Sequence, residues 1–207
     1  MKLLFLISED WYFCSHRKPI AEKALAKGWD VHLGCQVDKC KDELEAAGIK
    51  LHHLPLRRGS INPLSDLPYF FRLIRLYRQE KPDVVHHVAM KSCLYGSLAA
   101  WLCRVPRVVN ALAGMGFLFS SPKIVVRIIK YPVLLLFRLL FNRPNNRLIL
   151  QNPDDIHMFQ AKIGVHPDRI RLIRGSGVDL NIFSPAVPQS PHTNQSPSVL
   201  SVPHLSV

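Results

Sequence analysis

Apolar runs of five or six residues alternate with helix-length stretches along the first 175 positions of the chain. Residues 3–8 and 30–35 precede helical patterns over 17–27 and 40–47. Residues 49–54, 83–88 and 107–112 precede patterns over 64–80, 92–103 and 123–141, and residues 147–151 precede one over 153–162; a last strand falls near 169–174. Near-continuous apolar strands, each followed by a helix, predict a parallel sheet covered on both faces. Seven such strands predict one doubly wound α/β domain over 1–185, Rossmann-like in outline. The punctuation agrees, since Gly28 and Gly48 follow predicted helices and Pro82 stands just before a strand. Beyond Pro185 there is no Lys, Arg, Asp or Glu and Ser and Pro dominate, which predicts a disordered tail over 186–207.

Two predicted helices have unusual faces. In 124–141 (IVVRIIKYPVLLLFRLLF), a turn of about 100° per residue gathers Arg127, Lys130 and Arg138 into one stripe amid Ile, Val, Leu and Phe. Three charges exclude a bilayer-spanning helix. Two readings stay open: a helix lying on an anionic membrane surface and kinked at Pro132, or a buried crossover helix whose basic heads reach solvent. Residues 64–80 likewise set Arg72 and Arg75 on one side, as a membrane-facing basic surface or a solvated face.

Charge sharpens this picture. The 207 residues carry 27 Lys+Arg against 15 Asp+Glu, a net +12, so an anionic partner is expected. No helix-turn-helix, zinc or RNA-binding pattern supports nucleic acid as that partner. Five cysteines, an odd number without a C-x-x-C pair, argue against a disulfide framework and a zinc ribbon and fit a reducing compartment. Neither a metal nor a cofactor is expected. The opening MKLLFLISEDW is too short in its apolar run for a signal peptide, and a cytoplasmic protein follows.

Ligands of a doubly wound sheet sit beyond the carboxyl ends of its strands. After the first strand comes an aromatic loop, Trp11 to His16, then Arg17, with no glycine before Gly28. The missing G-x-G-x-x-G cradle argues against a dinucleotide enzyme. The loop suits a sugar or lipid platform, with Arg17 near a helix start; packing on a neighbouring loop accounts for it equally well. After the fourth strand, His86 is placed to relay a proton and Lys91 to meet a phosphate, although a strand-end histidine is more often structural. After the fifth come Asn110, Gly114 and Gly116; after the seventh, Gly175, Ser176 and Gly177, then Asp179. The glycines permit close backbone approach.

The segment GSGVDLNIFSP, with its Gly-Val-Asp and Phe-x-Pro, resembles the exit from the N-terminal domain of family-4 glycosyltransferases of the two-domain GT-B fold. PDVVHHVAMKSCLYGSLAAWLC is similar to that family's fourth strand and helix, RVVNALAGMGFLFSS to its fifth-strand loop, and NNRLILQNPDDIHMFQAKIGVHPDRIRLI to its sixth and seventh strands. The opening residues resemble the subgroup that acts on lipid-linked or surface polysaccharides. The resemblance implies a retaining transferase that moves a sugar from a nucleotide-sugar donor to a lipid-linked or polysaccharide acceptor, without a required metal. It also implies an acceptor-side domain peripheral to the inner face of the cell membrane. A separate C-terminal domain grips the donor in that family, and this chain ends where that domain begins, so the chain alone is expected to be inactive. A non-enzymatic module that binds a membrane or a partner chain is the alternative. The family's frequent histidine before the fifth-strand glycine is Ala113 here, which leaves His16, His86 or Asn110 as candidates for the acceptor side.

Overall fold

Seven parallel strands form one sheet in the order β3-β2-β1-β4-β5-β6-β7. The computed structural model describes residues 1–56, 62–112, 124–175 and 177, with the backbone alone for 124–128. Within it, Met1–Gly177 is one compact unit. The tail beyond 185, Gly114, Gly116, Ser176 and Asp179 lie outside the described residues, as does the side chain of Arg127.

The strands are β1 (Lys2–Glu9), β2 (Asp30–Gln36), β3 (Lys50–His53), β4 (Val84–Val88), β5 (Arg107–Leu112), β6 (Asn146–Leu150) and β7 (Ile170–Leu172). Between them run α1 (Asp10–His16), α2 (Lys18–Ala26), α3 (Lys41–Ala46), α4 (Leu67–Glu80), α5 (Met90–Leu102), α6 (Ile124–Phe141) and α7 (Pro153–Met158), the last continuing as a π-helical turn over Phe159–Ile163. Parallel pairing sets Leu3 against both Val31 and Val84, which makes β1 an interior strand. Its two neighbours are reached by connections that leave in opposite directions, so the topological switch point falls between β1 and β4.

Alternation along the strands divides the core. Phe5, Val31, Leu33 and Val88 pack under α1, α2 and α3 together with Phe13 and Leu44. Leu4, Leu6 and Val85 face α4 and α5 through Leu73, Tyr77 and Ala99. A third cluster joins Phe137 and Phe141 of α6 to Leu148, Leu150 and Phe159. Asn152 caps α7, its side-chain oxygen accepting from Asp155 N at 2.7 Å, with Pro153 at the first helical position.

The aromatic stretch after β1 is helix and not loop, a correction to the sequence reading. No glycine or proline interrupts residues 10–18, and Asp10 puts a carboxylate in the first turn, where the helix dipole favours it. Pro19, without an N–H, ends the run by making the chain restart as α2 after Arg17.

Candidate functional site at the carboxyl ends of the strands

Asp10 fixes the turn out of β1. Its carboxylate accepts from the backbone N–H of Trp11 at 2.7 Å, of Asp38 at 2.7 Å and of Cys40 at 2.9 Å, stitching α1 to the loop after β2. Burial pushes this carboxyl up, but the amides of Cys40, Asp38 and Trp11 outweigh it and hold it below the ordinary value. The helix so placed carries Trp11, 43% exposed, whose indole N–H donates to Glu9. His16 stacks on Tyr12 with ring centres 4.3 Å apart, and its Nδ1 lies 2.5 Å from Ser15 Oγ. A cavity of about 30 Å³ opens beside Tyr12, between Ser8 and Glu9 of β1 and Val88 and Ala89 at the end of β4. This is the switch point.

His86 and Arg17, far apart in sequence, come together beneath it. His86 points to the α1–α2 side, stacks on Phe5 at 5.3 Å, and has no hydrogen-bond partner for Nε2 among the described residues. Burial, then the Arg17 guanidinium, push its imidazole down to about 3, so it stays neutral at physiological pH. Arg17 stands just before α2 as expected, but is buried, and desolvation lowers its own value. A neutral imidazole this weakly basic does not fit the proton-relay role read from sequence.

His87 faces the other way and anchors a buried polar ladder. Its Nε2 lies 2.9 Å from the Tyr77 hydroxyl and its Nδ1 2.8 Å from Asn110 Oδ1. Because the amide oxygen only accepts, Nδ1 carries the proton and Tyr77 donates to Nε2. Ser97 Oγ also donates to Asn110 Oδ1 at 3.0 Å, and Asn110 Nδ2 donates to Asn146 Oδ1 at 2.9 Å. Asn110 is thus a fully buried link between β4, β5 and β6, and the structure moves it from acceptor-side candidate to scaffold.

Lys91 is the second residue of α5, as expected, but its ammonium donates to Asp66 Oδ2 at 2.7 Å, and Tyr95 OH donates to the same oxygen at 3.0 Å. The lysine is held against a buried carboxylate of the turn before α4, and a phosphate would have to compete with that pair. Ala89, between β4 and α5, has φ 74° and ψ 160°, a region nearly confined to glycine and worth about 1–3 kcal/mol of strain. Gly175 and Gly177 have φ 68° and 76°, which their lack of a side chain allows, and both are exposed just past β7. Because all strands are parallel, Lys91, Gly175 and Gly177 follow strand ends on the same edge of the sheet. A larger groove, about 390 Å³ and lined partly by Arg78, Lys81 and Arg104, lies at the opposite edge, before β4 and β5.

The helix α6 has one buried and one exposed face. Phe137, Leu140 and Phe141 are buried, while Tyr131, Leu135 and Leu139, one helical turn apart, are 76%, 56% and 61% exposed. The outer face is therefore an apolar row with exposed Arg138 beside it and half-buried Lys130 near its start, rather than a purely basic stripe. In α4, Arg72 and Arg75 are exposed next to Phe71, itself 65% exposed. Among the described residues, no helix is long and apolar enough to cross a membrane.

Asp10, Asp66 and Gly96 escaped the sequence reading. A Cβ on Gly96 would stand 2.7 Å from the His87 ring, so this helical glycine is a packing requirement. An isolated glycine inside an apolar helix was the available signal. Asp10 and Asp66 act on partners 25 to 30 residues away, for which no local pattern exists.

Comparison with known proteins agrees with this fold. Over 159 residues the chain is 26% identical to the UDP-Gal:alpha-D-GlcNAc-diphosphoundecaprenol alpha-1,3-galactosyltransferase of Escherichia coli, covering 77% of this chain and 40% of that one. Over 190 residues it is 23% identical to the N,N'-diacetylbacillosaminyl-diphospho-undecaprenol alpha-1,3-N-acetylgalactosaminyltransferase of Campylobacter jejuni, covering 92% and 50%. The chain thus spans about half the length of these relatives, or less. Among solved structures it superposes on Anabaena HepE in complex with UDP and glucose with a TM-score of 0.52 at 22% identity, over 88% of this chain and 46% of that one; at such identity the likeness speaks for the fold. Residues 2–152, from β1 through the ladder to the end of β6, match the family described as glycosyl transferase 4-like, and the chain belongs to that family.

Proposed function

We propose that this chain is the acceptor-side half of a retaining glycosyltransferase that passes a sugar from a nucleotide-sugar donor to a lipid-linked or polysaccharide acceptor at the inner face of the cell membrane. The observation that carries the reading is the exposed row Tyr131, Leu135 and Leu139 with Arg138 beside it. An apolar row edged by basic residues suits a helix lying in the interface of an anionic bilayer, where a lipid-linked acceptor resides. The two relatives are named for acceptors on diphosphoundecaprenol, which is such a lipid. On this reading the cleft between β1 and β4, bordered by Tyr12 of the helix that carries Trp11 and His16, receives the acceptor. The exposed Gly175 and Gly177 face a donor-gripping domain, which stabilises the leaving nucleoside diphosphate with amides and cations.

The test is transfer itself. The purified chain, incubated with nucleotide sugars and an undecaprenyl-diphosphate-linked acceptor, should show no turnover, and fusing a relative's C-terminal domain after Pro185 should restore some. Robust turnover by the isolated chain refutes the half-enzyme reading. An inactive, folded fusion that still binds anionic vesicles favours a non-enzymatic membrane module.

A further inference from the structure

We propose that His32, His52 and Glu80 form a site for a divalent transition-metal ion at the edge of the sheet opposite the acceptor cleft. His32 lies near the start of β2, His52 on the edge strand β3, and Glu80 is the last residue of α4. Val31 and Leu33 point to the α1–α2 side, so alternation turns His32 to the α4 side. His52 is paired with Gly34 and shares that face. Three elements therefore deliver two imidazoles and a carboxylate to one spot.

The distances suit a small cation. His32 Nδ1 is 2.8 Å from His52 Nε2 and 3.6 Å from Glu80 Oε2. A tetrahedral ion with bonds of about 2.0–2.2 Å needs ligand atoms roughly 3.3–3.5 Å apart, which these values bracket. On the far side of the His32 ring, Nε2 is 3.1 Å from Asp30 Oδ2, in a contact too bent for a good hydrogen bond. The negative charge of that carboxylate still favours the proton on Nε2 over Nδ1, which leaves Nδ1 to face an ion, as carboxylates do behind metal-bound imidazoles. His32 is almost fully buried, whereas His52 and Glu80 are partly exposed, so an ion would hold three protein ligands and one open position to solvent. Imidazole and carboxylate together suit zinc, cobalt, nickel or copper rather than magnesium.

Two cations oppose it. Lys2 Nζ donates to Glu80 Oε2 at 2.8 Å and lies 3.9 Å from Asp30, and Lys50 lies 2.9 Å from Asp30. Without metal, Lys2 occupies the charge that an ion would claim, so the two compete for Glu80. When bound, the ion would clamp the C-terminus of α4 and the edge strand β3 onto β2. It would act on the scaffold and touch no substrate.

Titrating the full chain with Co²⁺, and with Zn²⁺ in competition, tests the assignment. One equivalent should bind with visible ligand-field bands and no sulfur-to-metal band. Such a band would assign the ion to the nearby-thiol cluster Cys14, Cys40 and Glu43 and overturn the proposal. His52→Asn and Glu80→Gln should each weaken binding at least about tenfold. Lys2→Gln should strengthen it roughly two- to fivefold, the worth of a partly exposed ion pair. His52→Cys should restore binding with a new sulfur band, which guards against a fold defect in the asparagine variant. Binding absent in the micromolar range, unchanged in both weakened variants, or not restored in a folded His52→Cys chain overturns it.

Discussion

Gly96→Ala would place a methyl against the His87 ring, which is hydrogen-bonded at both nitrogens. The added Cβ would stand 2.7 Å from His87 Cδ2 and Nε2 and 2.8 Å from Cε1, whereas carbon contacts settle at about 3.5–4.0 Å. The ring would have to retreat by roughly 0.8 Å or more to reach that range. It is held at both nitrogens, by Tyr77 at 2.9 Å and Asn110 at 2.8 Å, so such a retreat breaks one of those bonds. Overpacking contributes about 1–3 kcal/mol and an orphaned buried polar group about 1–3 kcal/mol more. Alanine's better helix propensity returns about 1 kcal/mol. The expected net loss is about 3 kcal/mol, a fall in Tm of roughly 6–12 °C for a domain of this size. Urea denaturation with a double-mutant cycle checks it. In a His87→Ala background the methyl has room, so Gly96→Ala should there be neutral or stabilising, with a coupling energy above about 1 kcal/mol. A single variant as stable as the parent, or equal losses in both backgrounds, would refute the packing argument.

Acid sensitivity follows from the two strand-four histidines, which burial pushes down to about 3 at His86, with Arg17 adding to it, and about 4 at His87, where the Asn110 bond acts the other way. The unfolded chain, titrating near 6.5, binds more protons below that value, so stability is full above about pH 7 and falls as pH drops from 6.5 toward 3. Thermal melts at pH 7.5 and 5.0 should show this, and His86→Leu, which also removes an unpartnered nitrogen, should flatten the dependence. For the membrane face, Gln at Arg72, Arg75, Arg127, Lys130 and Arg138 should strongly reduce binding to acidic vesicles, at roughly 1 kcal/mol per basic residue near the surface, and salt should do the same to the parent. Ser at Tyr131, Leu135 and Leu139 should reduce it even at low salt; binding indifferent to both sets would point to a solvated helix. Gly175→Val, forced to φ 68°, introduces about 1–2 kcal/mol of local strain, and in a fusion carrying the C-terminal domain it should impair transfer more than Tm; unchanged kinetics would remove that loop from the site.

The fold was legible because buried parallel strands are continuous apolar runs, and the runs from Leu3 to Ile170 all became strands. The edge of the sheet proposed for the cleft was read by the same route, since a doubly wound sheet takes ligands at the carboxyl ends. What a single chain position should do there was much less so. His86 and His87 read alike in sequence, yet a period of two sends one to Phe5 and Arg17 and the other to Tyr77 and Asn110. Lys91 read as a phosphate ligand because its partner Asp66 is 25 residues away. The helix Asp10–His16 was hidden by length, as seven aromatic-rich residues show no helical period. His32, His52 and Glu80 share no spacing at all, and only the packing of α4 on the sheet brings them together.

The interior position of β1 reaches back to synthesis on the ribosome. One edge of this strand pairs with β2 within about thirty residues, but the other waits for β4, which begins about eighty residues after Leu3. At roughly 5–20 residues per second that delay is roughly 4–16 s. Throughout it the nascent chain presents Leu3–Leu6 with an open row of N–H and C=O groups, a template for pairing with another chain. An edge left open for that long has to be shielded during translation if the chain is to reach its finished sheet without pairing elsewhere.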